Sequence, residues 1–138
     1  MRAYLYAWSE GVRVLTWHML WDYSGQGDPG YALLRHDHTP RPAYVAYATL
    51  TRVLERANYV GPVAGLTPSQ RGFHFEKRGQ HIRVLWDTQG ESSFPLNGVE
   101  SAEVIDLMGG STPLAPDKGL ANVSLSRDPL YLITGPQR

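Results

Sequence analysis

The sequence predicts an α+β chain in two parts, a helix–strand–helix segment over residues 1–62 and a small antiparallel β-sandwich over residues 63–138. Three observations carry this expectation. Val12–Trp21 is apolar almost throughout, the habit of a strand covered on both faces, as in parallel sheets. Ala43, Ala46, Tyr47, Leu50, Val53, Leu54 and Ala57 recur at spacings of three and four, which places them on one face of a helix. From Val63 onward that spacing stops, and short alternating runs appear between turn residues.

Ala3–Ser9 reads as the end of a helix, with Leu5 and Trp8 three apart and Gly11 placed as its left-handed cap. Helix, Gly and buried strand in succession make one half of a parallel unit. The carboxyl end of that strand carries Trp17, His18, Trp21 and Asp22, next to the Gly-rich segment Ser24–Gly30, which reads as a loop. In α/β proteins ligands bind at that edge. The second helix opens at Pro42, a favoured first helical position, with Thr51, Arg52, Glu55 and Arg56 on its polar face. Gly61-Pro62 ends it. Arg71–Lys77 then alternates around Phe73 and Phe75, Arg78-Gly79 makes a hairpin turn, and His81–Trp86 puts Ile82, Val84 and Trp86 on one face. Glu103–Leu107, closed by Gly109-Gly110, then Ala121–Ser126 and Leu130–Thr134 complete about five or six short strands. Phe73 or Phe75 should bury with Ile82, Val84 and Trp86 in one core.

At 138 residues the chain suits one ordinary domain or two small ones. Thirteen basic and thirteen acidic residues cancel, so there is no electrostatic case for nucleic acid or an anionic membrane as partner. No apolar run approaches the roughly 20 residues needed to span a bilayer. The N-terminal apolar run is broken by Ser9 and Glu10 and makes a poor signal peptide. With no cysteine, disulfides and thiolate metal sites are excluded and the compartment stays open. Asn122-Val123-Ser124 matches a glycosylation acceptor, which matters only in a secretory pathway. Four Trp and eight Tyr suit a sugar-stacking surface and a packed core equally.

Trp17-His18-Met19-Leu20-Trp21-Asp22 resembles the end of the eighth strand in the (β/α)8 barrel of clan A glycoside hydrolases. Gly30–Leu34 followed by Thr39-Pro40-Arg41-Pro42-Ala43-Tyr44 resembles the lead-in to the last helix of that barrel. Many members, β-xylosidase-like ones among them, carry a C-terminal β-sandwich directly after this helix. Val104–Gly110, a strand ending in Asp before a Gly turn, and Asp128–Gly135 resemble two motifs of that sandwich. The resemblance covers essentially the whole chain. It implies the end of helix seven, strand eight and helix eight over residues 1–62, and an accessory sandwich over 63–138. A complete barrel needs on the order of 250 residues, so the chain corresponds to the C-terminal fragment of a larger enzyme acting on O-glycosidic bonds.

Retaining hydrolysis of this kind uses two carboxylates about 5 Å apart. By the family's pattern these are Glu residues at the ends of strands four and seven, upstream of this chain. No residue here is therefore expected to be catalytic, no cofactor is implied, and the chain should be inactive alone. Glu10 precedes the strand but lies at the helix-to-strand turn, on the barrel's stable bottom face. Trp17 has two readings, a platform beneath the sugar and a sheet-face core residue. Trp21 and Asp22 follow on the exit loop, where they could touch sugar hydroxyls, while His18 departs from the Tyr that the family often has. His36-Asp37-His38 has metal-like spacing but no evident third ligand, and reads as a solvated turn, so no metal is expected. Trp86 and Phe94 could form a sugar-binding surface, though such residues more often pack the sandwich core. The implied partners are a carbohydrate substrate and the missing N-terminal barrel portion, with self-association through residues 1–60 in its place. A chain from about Gly61 onward should then behave better. The alternative function is a non-catalytic carbohydrate-binding or structural sandwich module.

Overall fold

The structure, a computed structural model, describes residues 1–22 and 30–135. It is α+β: among the described residues two helices and eight strands, all paired antiparallel, form a sandwich covered on one side by the helices. The first helix, α1 (Arg2–Ser9), buries Leu5 completely. Its end is closed by Gly11 at φ 79°, where the Val12 N–H donates to the Ala7 carbonyl at 2.9 Å and the Gly11 N–H to the Trp8 carbonyl at 3.0 Å. These paired bonds satisfy carbonyls that a helix end otherwise leaves unpaired, as the sequence anticipates. The second helix, α2 (Pro42–Leu54), starts with Pro and buries Ala46, Leu50, Val53 and Leu54, together with Thr49.

The strand expected over Val12–Trp21 does not form. Only Trp21 makes a β-bridge, parallel to Leu34. Among the described residues no strand runs beside this segment, so its backbone has no ladder to join. An apolar run becomes a buried parallel strand only when both edges have neighbours. Val14 remains 79% exposed and Leu20 62%. The loop expected at Ser24–Gly30 lies, up to Pro29, outside the described residues.

Six strands form the larger sheet: β1 (Asn58–Pro62), β2 (Gln70–Lys77), β3 (Gln80–Asp87), β5 (Ala102–Ile105), β6 (Ser111–Leu114) and β8 (Leu130–Thr134), in the order β1-β2-β3-β8-β5-β6. The smaller sheet pairs β4 (Ser92–Asn97) with β7 (Leu120–Leu125). Register aligns Phe73, Val84, Tyr131 and Ile105 in one row across four strands, with Phe75, Ile82 and Ile133 in the next. Both rows, with Trp86, face Leu5, Leu50, Val53 and Leu54 of the helices in one core. Burying Phe75, Ile82 and Val84 contributes on the order of 1.5–3 kcal/mol each relative to exposure. The opposite face carries Leu85, Leu130 and Leu132, which pack on Phe94, Leu96, Val123 and Leu125 of the smaller sheet. The expected company of Phe73, Phe75, Ile82, Val84 and Trp86 is thus real, but it lies under the helices and not between the two sheets. That placement runs against the expectation that a chain starting near Gly61 behaves better. Without α1 and α2 this row of aromatic and aliphatic side chains loses its cover.

The ladder begins before residue 63, because β1 pairs with β2 from Asn58 and passes through a bulge between Tyr59 and Gly61. Close packing of that corner shows at Gly72, where a Cβ would stand 2.7 Å from Leu85 Cδ2 and 2.9 Å from Val63 Cβ. Hydrogen bonds also tie the layers together. Lys77 Nζ donates to the Val53 carbonyl at 2.9 Å and the Arg52 carbonyl at 3.2 Å, placing a cation on the carboxyl end of α2. Arg2 donates to the Arg127 carbonyl and lies 5.8 Å over the Trp86 ring. After β5, the Asp106 carboxylate accepts from the Met108 and Gly110 N–H groups, both at 2.8 Å. That bond pair is the physical content of the Asp-before-Gly motif seen in the sequence.

Candidate functional site: an aromatic wall and a histidine corner

Trp17, Trp21 and Asp22 all dock on the segment 31–41, which doubles back on itself through the bond from the Arg35 N–H to the Thr39 carbonyl at 2.9 Å. Trp17 Nε1 donates to the Tyr31 carbonyl at 2.8 Å, and its ring stacks on Tyr4 at 6.3 Å with an interplanar angle of 5°. Half-buried, it also lines a groove of about 410 Å³ with Met1, Ala43, Ala46, Met108 and Pro129. Trp21 Nε1 donates to the His36 carbonyl at 3.3 Å. The Trp21 ring stacks on His36 at 6.2 Å, meets His38 at 5.0 Å, and keeps 40% of its surface in solvent. Asp22 is buried, and its carboxylate faces the Arg41 guanidinium at 3.8 Å. The wall can hold a flat apolar face against Trp21 and the groove beside Trp17, which is how aromatic side chains engage a sugar ring.

The turn His36-Asp37-His38 is organised by Thr39. Asp37 Oδ1 accepts from the Thr39 hydroxyl at 2.6 Å and the Thr39 N–H at 3.0 Å, and these bonds hold its carboxyl below the usual carboxylate range. Glu10 stands at the C-cap of α1.

A second constellation lies on the β2–β3 hairpin and was not anticipated. Register puts Glu76 opposite His81 and His74 opposite Arg83, all on the face turned away from the helices. His74 Nε2 is 3.1 Å from His81 Nδ1, and His81 Nδ1 is 3.5 Å from Glu76 Oε1. Burial, then the Arg83 and His81 charges, lower the His74 pKa from its ordinary 6.5 despite Glu76. Arg83 in turn donates to the Thr134 hydroxyl at 3.0 Å. The signal for this corner was present in the sequence. A two-residue turn at Arg78-Gly79 fixes the pairing of Lys77 with Gln80, and hence of Glu76 with His81. Among the described residues no helix is long and apolar enough to cross a membrane.

Comparison with known proteins places the architecture among carbohydrate-cleaving enzymes. The chain is similar to a family 39 glycoside hydrolase from the gut symbiont Bacteroides cellulosilyticus WH2, with 25% identity and a TM-score of 0.65 over 82% of the chain. It also shares its fold with a family 30 endoxylanase from Clostridium papyrosolvens C71, at 12% identity, TM-score 0.59 and 75% coverage. An Anoxybacillus alpha-amylase shares it at 15% identity, TM-score 0.55 and 83% coverage. The chain spans 25%, 30% and 27% of the lengths of these three enzymes. No family model and no curated protein matches it. The resemblance to the C-terminal part of a glycoside hydrolase, read from the motifs around Trp17–Asp22, Thr39–Tyr44 and Asp106–Gly110, is borne out by these neighbours.

Proposed function

We propose that the chain is the C-terminal portion of a retaining glycoside hydrolase acting on O-glycosidic bonds, and that it lacks hydrolytic power by itself. It supplies one wall of the sugar site. Trp17 and Trp21 offer aromatic faces to the ring, and Asp22, held by Arg41, is the polar member at the same edge. The sandwich braces the outside of the barrel that the remaining polypeptide builds. The carrying observation is the 25% identity to the family 39 enzyme over 82% of this chain, combined with coverage of only a quarter of that enzyme. The exposed Val14, Leu15 and Leu20 support the same reading, because a strand-eight segment waits there for neighbours on both edges. Those neighbours are the N-terminal barrel portion or, in its absence, another copy of this chain.

The test joins gene structure to activity. The reading frame upstream of Met1 is expected to encode two strand-end Glu residues. The purified chain should show no measurable turnover of aryl glycosides, since a platform without acid and nucleophile cannot supply the chemistry. Mixing in the upstream-encoded polypeptide should restore turnover, and Trp17→Ala should lower the restored kcat/KM by about tenfold or more, the cost of a misplaced ring. Turnover by the chain alone that survives Trp17→Ala and vanishes in Glu10→Gln would overturn this assignment. Saturable oligosaccharide binding by the isolated chain, with no upstream carboxylate pair in the gene, would establish a carbohydrate-binding module instead.

A further inference from the structure

The larger sheet offers six strands to the smaller sheet's two, so the inner face cannot be covered everywhere. Its uncovered corner holds His74, Glu76, His81, Arg83 and Thr134, and opens on cavities of about 400 and 700 Å³ lined by Pro62–Ala64, Phe94–Ser101 and Gly135. A sheet that simply faced water would need no imidazole pair in contact there. From this geometry we infer that His74 Nε2, His81 Nδ1 and a Glu76 carboxylate oxygen form a three-ligand site for one divalent transition-metal ion of the zinc class.

Three arguments carry the assignment. The first is distance. Imidazole nitrogens and carboxylate oxygens lie about 2.0–2.1 Å from tetrahedral zinc, so neighbouring ligand atoms are separated by about 3.3–3.4 Å. The observed 3.1 Å and 3.5 Å bracket that edge, and all three ligand atoms fall within 4.8 Å of one another. The second is rigidity. The three residues stand on one face of a tightly paired hairpin, Glu76 directly across from His81, so the ladder fixes their Cα positions before any ion arrives. The third is charge. Imidazole ligates in its neutral form, and the Glu76 carboxylate offsets part of the ion's charge. Arg83 opposes the ion electrostatically but is engaged by Thr134. Two imidazoles and one carboxylate leave a fourth position facing the cavities, open to water or to an oxygen or nitrogen of a small ligand.

The inference does not depend on the glycosidase reading, since none of these residues belongs to the aromatic wall. Zinc chloride titrated calorimetrically into the untagged, chelator-treated full chain at neutral pH tests it. Saturable uptake of about one ion per chain is expected, as three convergent ligands demand. His81→Ala and Glu76→Gln alter side chains that are about half-exposed, 45% and 50%, so both should fold with an unchanged circular dichroism spectrum. Each should weaken zinc at least about tenfold. The double variant His36→Ala/His38→Ala should keep the original affinity. Absence of saturable uptake, uptake unaffected by His81→Ala, or uptake abolished in the His36/His38 variant would each overturn the assignment. The first outcome would leave the 3.1 Å contact as an ordinary imidazole hydrogen bond.

Discussion

Asp87 ends β3 with a carboxylate that accepts from the Gln89 N–H at 2.8 Å and the Ser69 hydroxyl at 2.9 Å. The Gln89 amide, then the Ser92 and Ser69 hydroxyls, hold its pKa below the ordinary 3.8. A folded-state pKa below the unfolded one means that the unfolded chain takes up the proton first as pH falls. The stabilisation is therefore complete above pH 3.8 and is lost as pH drops through the folded value. Asp87→Asn has no proton to take up, so its melting temperature should start lower near neutrality and fall less steeply below pH 3.8. Thermal unfolding followed by circular dichroism across the acid range checks this, and parallel acid limbs for the two proteins would contradict it. At this scale the sequence was partly legible. Trp17, Trp21 and Asp22 come together on the segment 31–41, although the strand expected to carry them does not form. The pairing of Asp22 with Arg41 was hidden, because it depends on how the segment 31–41 folds back. His74, Glu76 and His81 could have been found by reading the hairpin register outward from its turn.

The elements divide by physics. The first helix and the strands β2, β3, β5, β7 and β8 were legible to within a residue or two, whereas the second helix, expected to run to Gly61-Pro62, stops at Leu54 and Asn58–Pro62 pairs as β1. Three strands were not legible, and they share one trait: β1, β4 and β6 contain Pro62, Pro95 and Pro113. Proline lacks the N–H a central strand must donate, so it reads as a break. All three are edge strands or belong to a two-stranded sheet, where one side of the backbone needs no partner and proline is tolerated. The opposite error at Val12–Trp21 has the complementary cause, since its composition fits a central strand but no strand runs beside it among the described residues. The β2–β3 turn makes its own prediction. Arg78 at φ 51° and Gly79 at φ 80° adopt the geometry that favours Asn-Gly. Arg78→Asn should stabilise the chain by about 0.5 kcal/mol, whereas the β-branched Arg78→Val should destabilise it, as chemical denaturation would measure.

For the whole molecule, the two sheets and two helices form a continuous packed unit, while Val12–Leu20 leaves an apolar strip in solvent. The full chain should therefore sediment as concentration-dependent oligomers. Val14→Lys combined with Leu20→Lys should shift it toward monomer, because both side chains are exposed and no core contact is lost. Unchanged sedimentation would place any association elsewhere. The strand order has a consequence for how such a chain is made. The trio β1-β2-β3 and the pair β5-β6 touch within their sheet only through β8, the last of the eight strands in the sequence. Until residues 130–134 leave the ribosome, neither half can close its ladder, and Phe73, Phe75, Ile82 and Val84 lack Tyr131 and Ile133 beside them. Folding must then wait for synthesis to pass this point, and the nascent polypeptide spends most of its translation with two unsealed edges and an open apolar face. A stop codon just before Leu130 would leave both ladders in place and take out the strand that joins them.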